Sequence, residues 1–217
     1  MRPELFKECL HQLPLIAILR GVTPDEVVEV GQVLLESGFR IIEVPLNSPS
    51  PLQSIQRLRD SLPDHCIVGA GTVMSATQVH EVASAGGQII VMPHADLSVI
   101  RTAKAAGLLC APGVVTPTEA CAALAAGADA LKLFPAELIS PAVVAAMRSV
   151  LPPATVMLPV GGITPDTMPP YLKAGANGFG LGSALYRAGQ PLEQTAANAR
   201  RFALAWQQWA FATRSAN

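Results

Sequence analysis

Charge is scarce in this sequence, and neither sign dominates. Only 14% of its 217 residues are charged, and the formal net charge is −1 at pH 7. Nucleic acids and anionic membranes attract proteins with an excess of basic surface residues, so we expect neither partner. The sequence has no uninterrupted run of about 18 apolar residues, because Gly127 and Asp129 break its alanine-rich middle, and it predicts no membrane span.

Cysteine is also rare. The chain has four, Cys9, Cys66, Cys110 and Cys121, without a CxxC pair. Because that spacing and a matching histidine pattern are missing, the sequence predicts no zinc site, and we expect reduced thiols in a cytoplasmic protein. The N-terminal segment MRPELFKECLHQLP is polar and lacks the apolar stretch of a secretory signal. This agrees with a cytoplasmic location.

Glycine, by contrast, recurs at regular places. Five helix-like segments end in glycine and are followed at once by an apolar run, at Gly38, Gly86, Gly107, Gly127 and Gly175. A glycine just after a helix readily adopts the left-handed conformation that ends the helix. The intervals are 48, 21, 20 and 48 residues, so the repeat is roughly 20 to 24 residues, the size of one strand-helix unit.

Eight apolar segments alternate with these helices and predict strands buried on both faces. They lie near residues 15–20, 39–44, 66–71, 88–92, 108–113, 129–134, 155–160 and 177–181. This α/β pattern favours a closed (β/α)8 TIM barrel over an open doubly wound sheet, because the first strand-turn-helix lacks the GxGxxG motif that would support the open sheet. We expect residues 1–217 to form a single domain with a short N-terminal helix and a C-terminal helix at about 191–212.

Serine-proline or threonine-proline pairs mark several predicted helix starts. Two of them extend to the spacing of a capping box, Thr23 with Glu26 and Thr116 with Glu119. In a capping box, each side chain accepts a hydrogen bond from the other residue's backbone N–H. We therefore interpret Glu119 as a structural residue rather than a catalytic one.

The strand sequence ADALKLF contains a lysine among mostly apolar residues. Alternation along a strand puts Ala130, Lys132 and Phe134 on one face and Leu131 and Leu133 on the other. If the leucines pack against helices, Lys132 points into the barrel, where burial lowers the pKa of its amine. A neutral amine can attack a ketone and form a Schiff base. The alternatives are a structural pair with a buried carboxylate or an amine that reaches solvent at the rim.

Other polar residues lie where predicted strands end, and in TIM barrels the active site lies at the C-terminal strand ends. Glu43 could carry protons, because burial raises the pKa of a carboxyl group toward neutrality; an ion pair with Lys132 or Arg20 is the alternative. Arg20 could bind a carboxylate or a phosphate with two hydrogen bonds. Thr72 could orient a carboxylate through its hydroxyl group. His94 has no partner that defines a role.

Glycines follow the last two predicted strands, in the sequences PVGGI and GLGS. Gly161, Gly162, Gly182 and Ser183 would let backbone N–H groups approach an anion closely, at the place where barrels commonly bind phosphate. Tight turns also use glycine, so glycine alone does not indicate phosphate binding. The position of these residues after the last two predicted strands is what favours it.

Seven motifs occur in the order AILRG, EVPLNSP, GAGTV, PGVVTPTEA, LKLFPAE, PVGGI and GLGSALY. Together, over about residues 14–187, they resemble the class I, Schiff-base aldolases that cleave 2-keto-3-deoxy-6-phospho sugar acids. The resemblance implies that Lys132 forms the Schiff base, that Glu43 moves protons, and that pyruvate and glyceraldehyde 3-phosphate are released. It further implies anion contacts by Arg20 and Thr72, phosphate binding by the two glycine loops, no metal or cofactor, and a homotrimer.

Two positions depart from the gluconate-type branch of that family and match its galactonate-type branch. Asn47 stands where the gluconate-type branch usually has arginine, and Val160 where it has threonine. The two substrates differ in the configuration at C4, and replacing a hydroxyl-bearing threonine by valine near that carbon changes which epimer finds a hydrogen-bond partner. We expect the galactonate epimer, with the gluconate epimer, or both, as the alternative. A phosphosugar isomerase or epimerase, or a non-catalytic phosphosugar-binding barrel, remains open.

Overall fold

A computed structural model describes residues 2–214 of the protein, so Met1 and residues 215–217 of the predicted domain lie outside it. All of its strand pairs are parallel. The strands are β1 (Leu15–Ile18), β2 (Ile41–Pro45), β3 (Ile67–Gly71), β4 (Ile89–Val91), β5 (Leu109–Ala111), β6 (Gly113–Val114), β7 (Leu131–Leu133), β8 (Met157–Pro159) and β9 (Phe179–Leu181).

These strands close into a barrel. One sheet has the order β5-β4-β3-β2-β1-β9, and a second has the order β6-β7-β8. β5 and β6 are two halves of one barrel strand, separated by Pro112, and a bridge between Val160 and Gly180 joins the ends of β8 and β9. Each of the eight predicted strands has a counterpart, which confirms the (β/α)8 barrel and shows that the open sheet is wrong.

Helices connect the strands of the barrel and cover its outside, and one further helix precedes the first strand and another follows the last. They are α1 (Arg2–Gln12), α2 (Val27–Glu36), α3 (Pro51–Ser61), α4 (Ala76–Ser84), α5 (Leu97–Ala105), α6 (Pro117–Ala125), α7 (Pro141–Val150), α8 (Met168–Lys173) and α9 (Leu192–Arg214), with a 3₁₀ turn at Ala136–Leu138. The five helix-ending glycines all have positive φ, between 69° and 101°. Within residues 2–214, no helix combines the length and apolar character that crossing a membrane requires.

The two predicted capping boxes have different outcomes. At α6, Thr116 and Glu119 form both reciprocal bonds, which confirms the structural interpretation of Glu119. At α2 the prediction is wrong, because the helix starts only at Val27. The residues before it form a turn, in which the Thr23 N–H donates to Glu26 Oε1 at 2.9 Å.

Apolar residues form two cores, one on each side of the sheet. The outer core lies between strands and helices and includes Leu131 and Leu133. The inner core fills the barrel and includes Phe6 and Cys9 of α1 beside the first residues of several strands. Because α1 covers the end where the strands begin, the accessible end of the barrel is the one where they finish. The four cysteines are free thiols.

Candidate active site

Lys132 lies on the inner face of the barrel wall, in the middle of β7. Its neighbours Leu131 and Leu133 belong to the outer core, as strand alternation predicts. The side chain is only 6% exposed, and Nζ lies 4.3 Å from the centroid of the Phe134 ring. Burial lowers the pKa of the amine, and the negative charge of Glu43 partly opposes this shift. Lys132 is therefore a buried amine whose lowered pKa suits it to nucleophilic attack.

Glu43 lies in β2, opposite Ile18 of β1 and Gly69 of β3. It is 2% exposed, and Oε2 accepts no hydrogen bond from any described residue. Burial raises the pKa of this carboxyl group to about 7, although the charges of Lys132 and Arg20 act in the opposite direction. Glu43 forms an ion pair with neither Lys132 nor Arg20, the two alternatives that its sequence position left open. A carboxyl group with a pKa near neutrality can accept a proton in one step and donate it in another.

Gly71, at the end of β3, is a residue that the sequence patterns did not single out. A Cβ atom built on Gly71 would overlap the Glu43 carboxylate. The absence of a side chain at this position therefore makes room for the buried acid. Glycine inside a strand often marks a close approach of this kind, so the GAG sequence of β3 contained a usable signal.

A small internal cavity brings the acid and the amine together. Glu43 and Lys132 both line it, and the rest of its wall is apolar: Ile16, Ile18, Val91, Ala111, Leu158, Val160 and Gly180. In such surroundings, charges interact strongly and neutral forms are favoured. This explains why the two pKa values move toward each other.

A cleft of about 610 Å³ opens above this cavity at the C-terminal ends of the strands. Lys132 and Val160 line both spaces, so the cleft leads to the amine. Its wall also contains predicted site residues from both ends of the chain: Arg20, Gly161, Gly162, Gly182 and Ser183. Within residues 2–214, no group of three or more His, Cys, Asp or Glu side chains is arranged to hold a metal ion.

Arg20 follows β1 and is held by two side chains. Nη1 donates to Asn47 Oδ1 at 2.7 Å, and Nη2 donates to Thr72 Oγ1 at 3.5 Å. Thr72 has a φ of 57°, which is costly for a threonine, and strained residues of this kind cluster at functional sites. Asn47 thus orients the arginine, a role that the sequence did not reveal. His94 lines neither cavity, and its buried Nδ1 has no hydrogen-bond partner among the described residues.

The two glycine loops form one side of the cleft. Gly161 and Gly162 have φ values of 116° and 61°, which other residues rarely adopt. Above Gly182 there is open space, with no atom within 4 Å of a Cβ built there. Glu137 lies against Gly161 and, with Arg187, also lines the cleft. Sequence reasoning missed these two charged residues because neither directly follows a predicted strand.

The chain is similar to known proteins along nearly its whole length. The model of the family "KDPG and KHG aldolase" matches residues 6–198. The chain belongs to the KDPG and KHG aldolase family. The aldolase family predicted from the seven motifs is thereby confirmed, and with it the enzyme class, a carbon-carbon lyase.

Individual family members are similar over most of their length. The chain is 45% identical over 197 residues to the 2-dehydro-3-deoxy-6-phosphogalactonate aldolase of Escherichia coli strain K12, covering 91% of this chain and 96% of the relative. A solved structure described as native KDPGal is 45% identical, with a TM-score of 0.90, and the match covers 92% of this chain and 97% of that one. A chain of a protein cage designed by fusing symmetric oligomeric domains is 44% identical, with a TM-score of 0.92, and the match covers 94% of this chain and 76% of the cage chain.

Proposed function

We propose that this protein cleaves 2-dehydro-3-deoxy-6-phosphogalactonate to pyruvate and D-glyceraldehyde 3-phosphate, in the cytoplasm and in galactonate breakdown. The observation that carries the proposal is the buried pair at the base of the cleft: an amine with a lowered pKa and a carboxyl group with a pKa of about 7, in one apolar cavity. The name of the Escherichia coli relative supports the choice of substrate.

The proposed reaction uses Lys132 as nucleophile. Neutral Nζ attacks the C2 ketone, the carbinolamine loses water, and a protonated Schiff base results. Removal of the C4 hydroxyl proton breaks the C3–C4 bond, and its electrons move to the Schiff-base nitrogen as an enamine. Glyceraldehyde 3-phosphate leaves, C3 takes up a proton, and water releases pyruvate from the lysine.

Glu43 is the proposed proton carrier for these steps. It accepts a proton in one step and returns it in another, directly or through a water molecule, as its near-neutral pKa allows. Arg20, held by Asn47 and Thr72, would bind one of the two anionic groups of the substrate. The loops that contain Gly161, Gly162, Gly182 and Ser183 would receive the phosphate at the other end of the cleft.

Trapping with pyruvate tests this proposal directly. Incubation with pyruvate followed by borohydride reduction should yield an adduct in the intact mass that maps to Lys132, and the phosphorylated sugar acid should release pyruvate. A folded enzyme without the adduct would refute the Schiff-base mechanism. Substrate isomerisation without pyruvate release would identify an isomerase or epimerase, and ligand-induced stabilisation without turnover would identify a binding protein.

Val160 is the proposed determinant of the epimer preference, because it lines the passage between the cleft and the internal cavity. We expect wild-type kcat/KM to favour the galactonate epimer. Val160→Thr should shift the ratio toward the gluconate epimer by about 5- to 10-fold, the effect of roughly one hydrogen bond. Val150→Thr, at the exposed end of α7 and outside the cleft, is the matched control. A wild-type ratio that favours the gluconate epimer would contradict the substrate assignment.

A homotrimer is the proposed assembly. Met74, Val115 and Leu138 follow β3, β6 and β7, and they are 49%, 39% and 74% exposed. Exposed apolar side chains at one end of a barrel are suited to contacts between copies. Similarity to a chain built from symmetric oligomeric domains supports this. Light scattering should give three times the chain mass of 22.6 kDa, and Leu138→Glu should lower it. A monomeric wild-type protein would refute the assembly.

A further inference from the structure

The cleft contains a cation to which none of the motifs assigns a role. We propose that Arg187 is a further substrate-binding residue, and that its guanidinium group holds the phosphate of the substrate beside the two glycine loops. This inference rests on the proposed function for the identity of the substrate. Its physical basis is an arginine that is anchored through its backbone, placed in the wall of the cleft, and left with free hydrogen-bond donors.

Part of the Arg187 guanidinium group is available to donate hydrogen bonds to a ligand. It lines the cleft together with Gly161, Gly162 and Gly182. Its Nε donates to the Ser183 carbonyl oxygen at 3.0 Å, the one hydrogen bond that this side chain makes within residues 2–214. Both Nη atoms therefore remain available for an oxyanion, and the planar guanidinium fork matches two oxygens of a phosphate.

The backbone before Arg187 is held in place from two directions. Buried Tyr186 donates its hydroxyl hydrogen bond to Glu26 Oε1 at 3.0 Å, next to the start of α2. The Leu185 carbonyl oxygen accepts from Gln190 Nε2 at 3.0 Å and from Asn198 Nδ2 of α9 at 3.1 Å. The long side chain of Arg187 thus extends from a fixed point, which lowers the entropy lost when it binds a ligand.

The charge balance of the cleft also favours Arg187. Lys132 must be neutral to react, and Arg20 is proposed to bind the anionic group at the other end of the substrate. Glu137 adds a carboxylate beside Gly161, where it repels a phosphate dianion. Of the charged residues in the cleft wall, Arg187 is the remaining cation that can offset this repulsion. Open space above Gly182 leaves room for the phosphate between the arginine and the loop.

Comparing a phosphorylated with an unphosphorylated substrate distinguishes phosphate binding by Arg187 from a purely structural role of this residue. For Arg187→Met, we expect KM for the 6-phosphorylated sugar acid to rise about 10- to 100-fold, as loss of a charge-assisted pair predicts, with kcat within about threefold of wild type. KM for the same sugar acid without its phosphate should stay within about twofold. Arg187→Lys, which keeps the charge and loses the fork, should fall between wild type and Arg187→Met. Arg101→Met, on the exposed surface of α5, is the control.

Titration with inorganic phosphate keeps this proposal separate from the proposed function, because it needs no turnover. Wild type should bind phosphate about 10-fold or more tightly than Arg187→Met, with an unchanged far-ultraviolet circular dichroism spectrum. Equal phosphate affinity, or equal changes in KM for both sugar acids, would overturn the role of Arg187 while the pyruvate adduct on Lys132 still formed. A wild-type enzyme without that adduct would instead refute the proposed function, and the phosphate titration would decide on Arg187 independently.

Discussion

Replacing Lys132 with methionine is expected to lower kcat by about 10⁴-fold or more, because no other group can form the Schiff base. Methionine has a similar length and an apolar chain, so it fits the largely apolar cavity around this position. Removing an amine that is costly to bury should leave the free energy of unfolding unchanged or slightly raised. Pyruvate release measures the activity, and the borohydride adduct should vanish from the intact mass.

Lys173→Met is the matched control for this prediction. Lys173 is exposed at the end of α8, far along the chain from β7. This variant should keep wild-type turnover and form the adduct. Substantial turnover by a folded Lys132→Met enzyme would show that another group is the nucleophile, and the buried amine would then have only a structural role.

Replacing Glu43 with glutamine is expected to lower kcat by about 10²- to 10⁴-fold, the contribution of a well-placed general acid-base group. Glutamine keeps the shape of the side chain beside Gly71 and cannot carry the proton. The adduct with pyruvate should still form, because attack by a neutral amine depends less on this acid. Glu36→Gln, exposed at the end of α2, is the control. Unchanged turnover of Glu43→Gln would remove Glu43 from the mechanism.

The same variant should change how stability depends on pH. The pKa of Glu43 rises from 4.5 to about 7 on folding, so between these values the folded protein binds a proton that the unfolded chain has released. Relative to Glu43→Gln, the unfolding free energy of the wild type should therefore fall by about 3 kcal/mol in total as pH rises through this window, and it should stay lower above it. Urea unfolding at pH 5 and pH 8 measures the difference. A difference independent of pH would contradict the raised pKa.

Local patterns determined most of the barrel and the centre of the site. Glycines at the helix ends predicted the repeat, and all five have positive φ in the structure, because a left-handed residue there ends a helix whatever its surroundings. Strand alternation predicted the orientation of Lys132, because successive side chains of a strand point to opposite faces. Its burial, and that of Glu43, followed from the apolar residues on either side of them.

Only the tertiary structure determined which residues surround Lys132 and Glu43 and line the cleft above them. Arg20 bonds to Asn47 and Thr72, which lie 27 and 52 residues further along the chain, and Gly71 makes room for an acid on the neighbouring strand. Arg187 reaches the cleft because the backbone before it is tied to α9 and to the turn before α2. Such contacts depend on the order of strands around the barrel, which brings distant segments together, and no periodicity along the chain encodes that proximity.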